Sequence, residues 1–211
     1  SGNEGRRSVR QSAACSTATG LVYRGRMPDA RTVPFDLLLC PLDGEPLLPA
    51  GASWQCAAGH SFDVAADGYL NLLPVQHKRS RDPGDSKAMV AARRGVLAAG
   101  HYGPVAQAVT ERLLPVLPHR AVCLDAGCGE GYYLRELAAA VPPGSQLALL
   151  GLDISKWAVQ AAARQFRASR WVVGSNAHLP VPDASCDALL CLLGFPVQAE
   201  FARVVRAGGV V

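Results

Sequence analysis

The chain has 211 residues, 49% of them hydrophobic and 18% charged, with a formal net charge of +4. This is a globular composition, long enough for one doubly wound domain and a small accessory module, and without the run of about 18 apolar residues that a membrane span needs. The charge does not by itself argue for a nucleic-acid partner, because residues 1–34 hold six arginines against Glu4 and Asp29 and account for all of it. Seven cysteines, an odd number with several in apolar strand-like runs, favour reduced thiols and a cytoplasmic location over a disulfide framework.

Residues 1–34 are polar, lack apolar periodicity and read as a disordered tail. Residues 35–75 contain short strand-like pieces, "DLLLC", "SFDVA" and "GYLNLLP", punctuated by Gly and Pro. They predict a small β-rich module that its own core could not support. Within it, Cys40 and Asp43 of "CPLDGEPL" and Cys56 and His60 of "CAAGH" look like two metal knuckles with a carboxylate in place of one cysteine. Residues 76–118 read as a basic linker and two helices, 86–100 and 104–117. The stretch 77–94, "HKRSRDPGDSKAMVAARR", sets Lys78, Arg79, Arg81, Lys87, Arg93 and Arg94 against Asp82 and Asp85. Such a strip is either a solvated face or a surface for phosphate.

From 119 onward the pattern is α/β. Strands "RAVCLD", "LALLGLD", "RWVVG" and "CDALLCLL" alternate with helices near 131–141, in "SKWAVQAAARQFRA" and in "QAEFARVVRA". Alternation of this kind implies a parallel sheet. Ser155 is placed to cap the second of these helices, and the glycines at 208 and 209 read as a helix stop. The chain ends at "GGVV", where a fifth strand is due, so the domain is expected to break off after strand four or five.

The turn after the first strand, "LDAGCGEGYY" at 124–133, is the most informative stretch. Its glycines let the backbone pass close under a ligand. The dinucleotide fingerprint G-x-G-x-x-G would need its third glycine at Tyr132. The actual spacing, Gly127, Gly129, Gly131, resembles that of class I S-adenosylmethionine-dependent methyltransferases. That resemblance implies cofactor contacts from Gly127, Gly129, Glu130 and Gly131. Asp153, at the carboxyl end of the second strand where open α/β sheets bind ligands, is implied on the ribose hydroxyls. Asp125 either accepts a hydrogen bond near the aminoacyl end or caps the turn. Ser175 and Asn176, in "GSNAHLP", fall where this superfamily usually meets the adenine.

A closer resemblance lies upstream. "FDVAADGYLNLLPVQHKRSRDPGDSKAMVAARRGVLAAGHYGPV", 62–105, is similar to the segment joining the zinc module to the catalytic domain in bacterial 23S ribosomal RNA (guanine-N1)-methyltransferases. The similarity continues through "LDAGCGEGYY" and "GLDISKWAVQAAA" and covers roughly residues 38–211. It implies methylation of N1 of one guanine in a hairpin loop of 23S rRNA domain II, a reaction that in one branch confers resistance to macrolides such as tylosin. The family's module carries C-x2-C and C-x3-H ligands. Cys40, Cys56 and His60 fall on three of the positions and Asp43 on the fourth, where a harder donor should hold zinc more weakly. Lys78, Arg79, Arg81, Arg93 and Arg94 are implied as RNA phosphate contacts, and Tyr102 of "GHY" as a cofactor contact. "LLGFP", 192–196, departs from the family's Tyr-Ala-Pro type of ending, but Phe195 could stack on a base. Asp183 and Asp187 are candidates for a proton acceptor by position alone. The rival readings are a small-molecule methyltransferase and a non-catalytic fragment that binds RNA or cofactor; a homodimer is compatible with all of them.

Overall fold

The structure, a computed structural model, describes residues 31–77, 80 and 82–211. The expected tail up to residue 30, and Lys78, Arg79 and Arg81 of the basic strip, lie outside the described residues.

The centre is a parallel sheet. Strands β6 (Arg120–Ala126), β7 (Gln146–Asp153), β8 (Arg170–Val173), β9 (Cys186–Leu190) and β10 (Val205–Val210) run in the order β10-β9-β6-β7-β8. They are linked by helices α3 (Tyr132–Ala140), α4 (Lys156–Gln165) and α5 (Gln198–Val204), which supply the crossovers a parallel sheet requires. Their side chains alternate between two cores. Leu124, Leu150, Leu152 and Val172 face one side, and Cys123, Leu149 and Val173 the other. On the second face lie Leu134 and Leu137 of α3, Val159 and Ala162 of α4, and Leu113 of α2 (Gly103–Leu113). Helix α1 (Lys87–Ala98) packs outside α4, with Val90 against Ala158 and Ala161.

The first face is covered differently. Beside Phe201 and Val204 of α5, it is roofed by Phe35, Leu38, Leu47 and Trp54 of the N-terminal module. That module contains an antiparallel sheet of β2 (Leu48–Ala50), β3 (Ser53–Gln55) and β4 (Ser61–Asp63). It is also stitched into the main sheet at two points. Strand β1 (Thr32–Pro34) pairs with Leu147–Leu149 of β7, and β5 (Leu70–Asn71) pairs with Val172 and Val173 of β8. Thr32–Pro34, assigned to the tail by composition, are therefore strand residues. Arg170 adds a third tie, its guanidinium 4.7 Å from the Trp54 ring and paired with Asp36. The module borrows its core from the sheet, which resolves how so short a segment is held.

The C-terminal glycines are a second departure. The helix stops at Val204, and Gly208 and Gly209 lie in β10, where the pairing with β9 shifts register. A Cβ at Gly209 would sit 2.9 Å from the Asp187 carbonyl, so the close strand approach excludes a side chain there.

Candidate functional site

The loop 127–131 leaves the carboxyl end of β6, the central strand, beside the end of β7. Its leading amides are already committed. Gly127 and Cys128 both donate to the Leu152 carbonyl, at 2.8 and 3.0 Å, and Gly129 donates to Asp153 Oδ2 at 2.9 Å. A loop that held a pyrophosphate would aim such amides at its ligand. This one turns them on its neighbouring strand, so no anion cradle is open there.

The side chains around the loop are acidic instead. Asp125 is 1% exposed and its Oδ2 has no hydrogen-bond partner. Burial, and then the nearby Asp153, push its carboxyl up to about 8. Asp153 is also raised by burial, although the amides of Ser155 and Gly129 oppose the shift. A buried carboxyl without a partner is costly, and a cation beside it would relieve that cost. Gly127 and Gly129 leave room, since a Cβ on Gly129 would meet nothing within 4 Å and one on Gly127 nothing nearer than 3.5 Å.

The other residues singled out in the sequence take varied places. A Cβ on Gly131 would lie 2.3 Å from Trp171, so this glycine serves packing. Glu130 is buried and faces Arg94 and Arg135. Asn176 donates to the carbonyls of Ala126 and Phe195, pinning the 191–197 segment beside the loop. Ser175 Oγ accepts from the Ala177 amide. Tyr102, half-buried before α2, lies close enough to act on Tyr133, whose hydroxyl also feels Asp125. Phe195 is 90% exposed on the pinned segment. Asp183 pairs with Arg203, while Asp187 accepts from the Val122 amide and pairs with Arg206. Asp187 is also at the start of β9, away from the carboxyl edge. Neither is free to accept a proton at that edge.

Arg93 and Arg94, expected at phosphate, each meet a carboxylate: Arg93 pairs with Asp85 and Arg94 with Glu130, both at 2.8 Å. Sequence reasoning missed what lies between them and the sheet. Asp82 accepts from the Trp157 indole at 2.7 Å, and the Asp85 carbonyl accepts from Ser155 Oγ at 2.6 Å. The available signal was the "DPGD" turn, two acids inside a basic run.

In the N-terminal module two tight turns converge. The Gly44 amide returns to the Cys40 carbonyl and the Gly59 amide to the Cys56 carbonyl. They bring donor atoms of Cys40, Asp43, Cys56 and His60 within 4.8 Å of one another. His60 Nδ1 lies 3.5 Å from Cys40 Sγ and 3.4 Å from Cys56 Sγ. Tetrahedral zinc at ordinary bond lengths sets such edges at about 3.5 Å. Asp43 Oδ2 is closer, 2.8 Å from His60 Nδ1 and 3.2 Å from Cys56 Sγ. The Glu45 amide and then Cys40 hold the Asp43 carboxyl down to about 2, while burial pushes the Cys40 thiol up to about 11.

Two family models match these two regions. Residues 38–81 match the N-terminal domain of RlmA, and residues 123–209 match a methyltransferase domain. A 23S rRNA (guanine(748)-N(1))-methyltransferase of Streptomyces fradiae is 35% identical over 82% of this chain and 60% of its own length. The resemblance to 23S rRNA (guanine-N1)-methyltransferases holds. A Micromonospora griseorubida protein, provisionally named as such an enzyme, is 37% identical over 82% of this chain and 63% of its own length. The chain thus spans less than two thirds of either relative. The fold is that of class I methyltransferases. A Methanococcus maripaludis protein provisionally described as an S-adenosylmethionine-dependent methyltransferase superposes with a TM-score of 0.50 at 20% identity, covering 63% of this chain and 65% of that one. Among the described residues no helix is long and apolar enough to cross a membrane.

Proposed function

We propose that this chain carries the cofactor-binding part of a methyltransferase that transfers a methyl group from S-adenosylmethionine to N1 of a guanine in 23S rRNA. The observation that carries the reading is the polarity of the loop at the carboxyl edge: the amides of Gly127, Cys128 and Gly129 are consumed, and the buried Asp125 offers an unpartnered carboxyl oxygen. That suits a cationic ligand and not a phosphate.

When bound, S-adenosylmethionine supplies a methyl group on a positively charged sulfur. Asp125 faces that cationic ligand, and Gly127 and Gly129 let it approach the backbone. Asp153 accepts one amide at each oxygen and keeps lone pairs for the ribose hydroxyls. Tyr102, Ser175 and Asn176 border the same edge, with Asn176 acting through the segment it pins. Phe195, exposed on that segment, offers an aromatic face to a base turned out of its hairpin loop. Glu130 and Gly131 shape the loop from behind.

The 35–75 module is the zinc-binding unit. Cys40, Asp43, Cys56 and His60 fit zinc by donor type and spacing, with Asp43 the weakest of the four. RNA phosphates run along the 76–118 linker at Lys78, Arg79 and Arg81, with the half-exposed Arg93 and Arg94 contributing only what their carboxylate partners leave free. The reading sets the protein in the cytoplasm, with ribosomal RNA as its partner.

The test is to incubate the chain with methyl-labelled S-adenosylmethionine and unmethylated 23S rRNA, then map the label by reverse transcription, which N1-methylguanine blocks. A stop at one hairpin guanine supports the reading. Cofactor binding without transfer favours a non-catalytic fragment, and transfer only to small molecules refutes the RNA assignment.

A further inference from the structure

Residues 82–94 touch both arms of the cofactor edge. Gly84 presses on the residues after Asp153: a Cβ there would lie 2.8 Å from Ile154 Cγ2 and 2.9 Å from the Ser155 amide. The Asp85 carbonyl takes the hydroxyl of Ser155, whose own amide holds Asp153 Oδ1. Helix α1 then continues to Arg94, whose Nε donates to Glu130 Oε2 at 2.8 Å.

Glu130 is an odd residue to bury. Its side chain is 2% exposed, and it stands between Gly129 and Gly131, both at positive φ. A backbone flanked by two glycines has little stiffness of its own. The amides of Gly129 and Gly131 are tied to Asp153 and Cys128, and the Glu130 side chain between them adds a further anchor. Arg135, within α3, reaches the Glu130 carbonyl but lies 3.7 Å from its carboxylate. The close contact to that buried charge is therefore Arg94, supplied from 36 residues upstream.

We propose that Arg94 is a positioning residue of the cofactor site: through Glu130 it holds the 127–131 loop in the shape that admits the ligand. The inference rests on the reading that this loop receives S-adenosylmethionine. Arg94 touches no reacting atom. It sets the loop's curvature from α1, and α1 is registered to the other arm by Gly84 and Asp85. The two arms are thereby held at a fixed spacing by one continuous segment.

The test compares the wild type with Arg94→Ala, Arg94→Lys and, as a control for charge loss, Arg164→Ala, which breaks the exposed pair with Asp67 on the neighbouring helix. Three quantities are measured: amide hydrogen exchange over 124–133 in the ligand-free protein, calorimetric affinity for S-adenosylmethionine, and the ligand-free melting temperature. Arg94→Ala should speed exchange in the loop and weaken binding roughly tenfold, the scale of one hydrogen bond to a charged group. Its melting temperature should fall somewhat below that of Arg164→Ala, because Glu130 loses its close partner, while faster exchange stays confined to the loop, and Arg94→Lys should recover much of these losses. Wild-type loop exchange and wild-type affinity in Arg94→Ala overturn the proposal while leaving the functional reading intact. Exchange that quickens throughout the chain, and not chiefly in the loop, also overturns it, since Arg94 then serves the fold at large. A wild type that does not bind S-adenosylmethionine sinks the functional reading and the proposal with it.

Discussion

Replacing Gly131 with alanine should cost the protein much of its stability, whereas the same change at Gly129 should spare the fold and impair the ligand. Both residues have positive φ, +74° and +56°, so each substitution pays the left-handed backbone penalty of about 1–2 kcal/mol. They differ in what the new methyl meets. At Gly129 nothing lies within 4 Å. At Gly131 the methyl would be 2.3 Å from Trp171 Cη2 and 2.8 Å from Cζ3. The indole cannot retreat. It is buried, its Nε1 is held by the Phe166 carbonyl at 2.6 Å, and Gly151 already presses on the same ring, where a Cβ would come within 2.2 Å. Overpacking of this kind adds about 1–3 kcal/mol, for a total near 2–5 kcal/mol out of the roughly 5–15 kcal/mol that holds a domain together. Urea denaturation followed by tryptophan fluorescence measures the loss, and calorimetry measures binding of S-adenosylmethionine. Gly131→Ala within about 1 kcal/mol of wild type would refute the packing argument. Gly129→Ala that binds as tightly as wild type would refute the cradle.

Asp125→Asn tests the buried carboxyl through pH. In the unfolded chain this group ionises near 3.8, but in the fold it keeps its proton to about 8. Between those values the folded state binds more protons, so its contribution makes stability fall as pH rises from about 4 to 8. The asparagine variant should lose that fall, and parallel urea midpoints for the two proteins at pH 5 and pH 8 would count against the assignment. Asp43→Cys restores a sulfur donor beside Cys40, Cys56 and His60 and should slow zinc loss to a chelator, followed by a chromogenic zinc dye; equal rates would remove Asp43 from the ligand set. Replacing Lys78, Arg79 and Arg81 with alanine should lower the log–log salt slope of RNA binding by about 2–3, and an unchanged slope would move the phosphate surface elsewhere.

Much of this architecture is legible because it is written locally. Near-continuous apolar runs mark β6 to β9 and 3.6-residue apolar periods mark α3 to α5, since each depends only on residues within its own element. The loop at 127–131 and the turns at Cys40 and Cys56 are legible for a similar reason: glycine spacing and short ligand intervals constrain a few consecutive residues. Even the metal quartet needs only one long-range fact, that the two turns meet. Other features depend on which surfaces come together, and no local pattern carries that. Thr32–Pro34 are too short to show a period and become a strand only because the edge of β7 offers them a partner. The glycines at 208 and 209 have the chemistry of a helix stop, but the nearness of the Asp187 carbonyl makes them part of a strand. Arg93 and Arg94 belong to a run of positive charge that the family resemblance assigns to phosphate. Folding set Arg93 against the nearby Asp85 and Arg94 against the distant Glu130, a buried carboxylate that draws a cation whatever its distance along the chain.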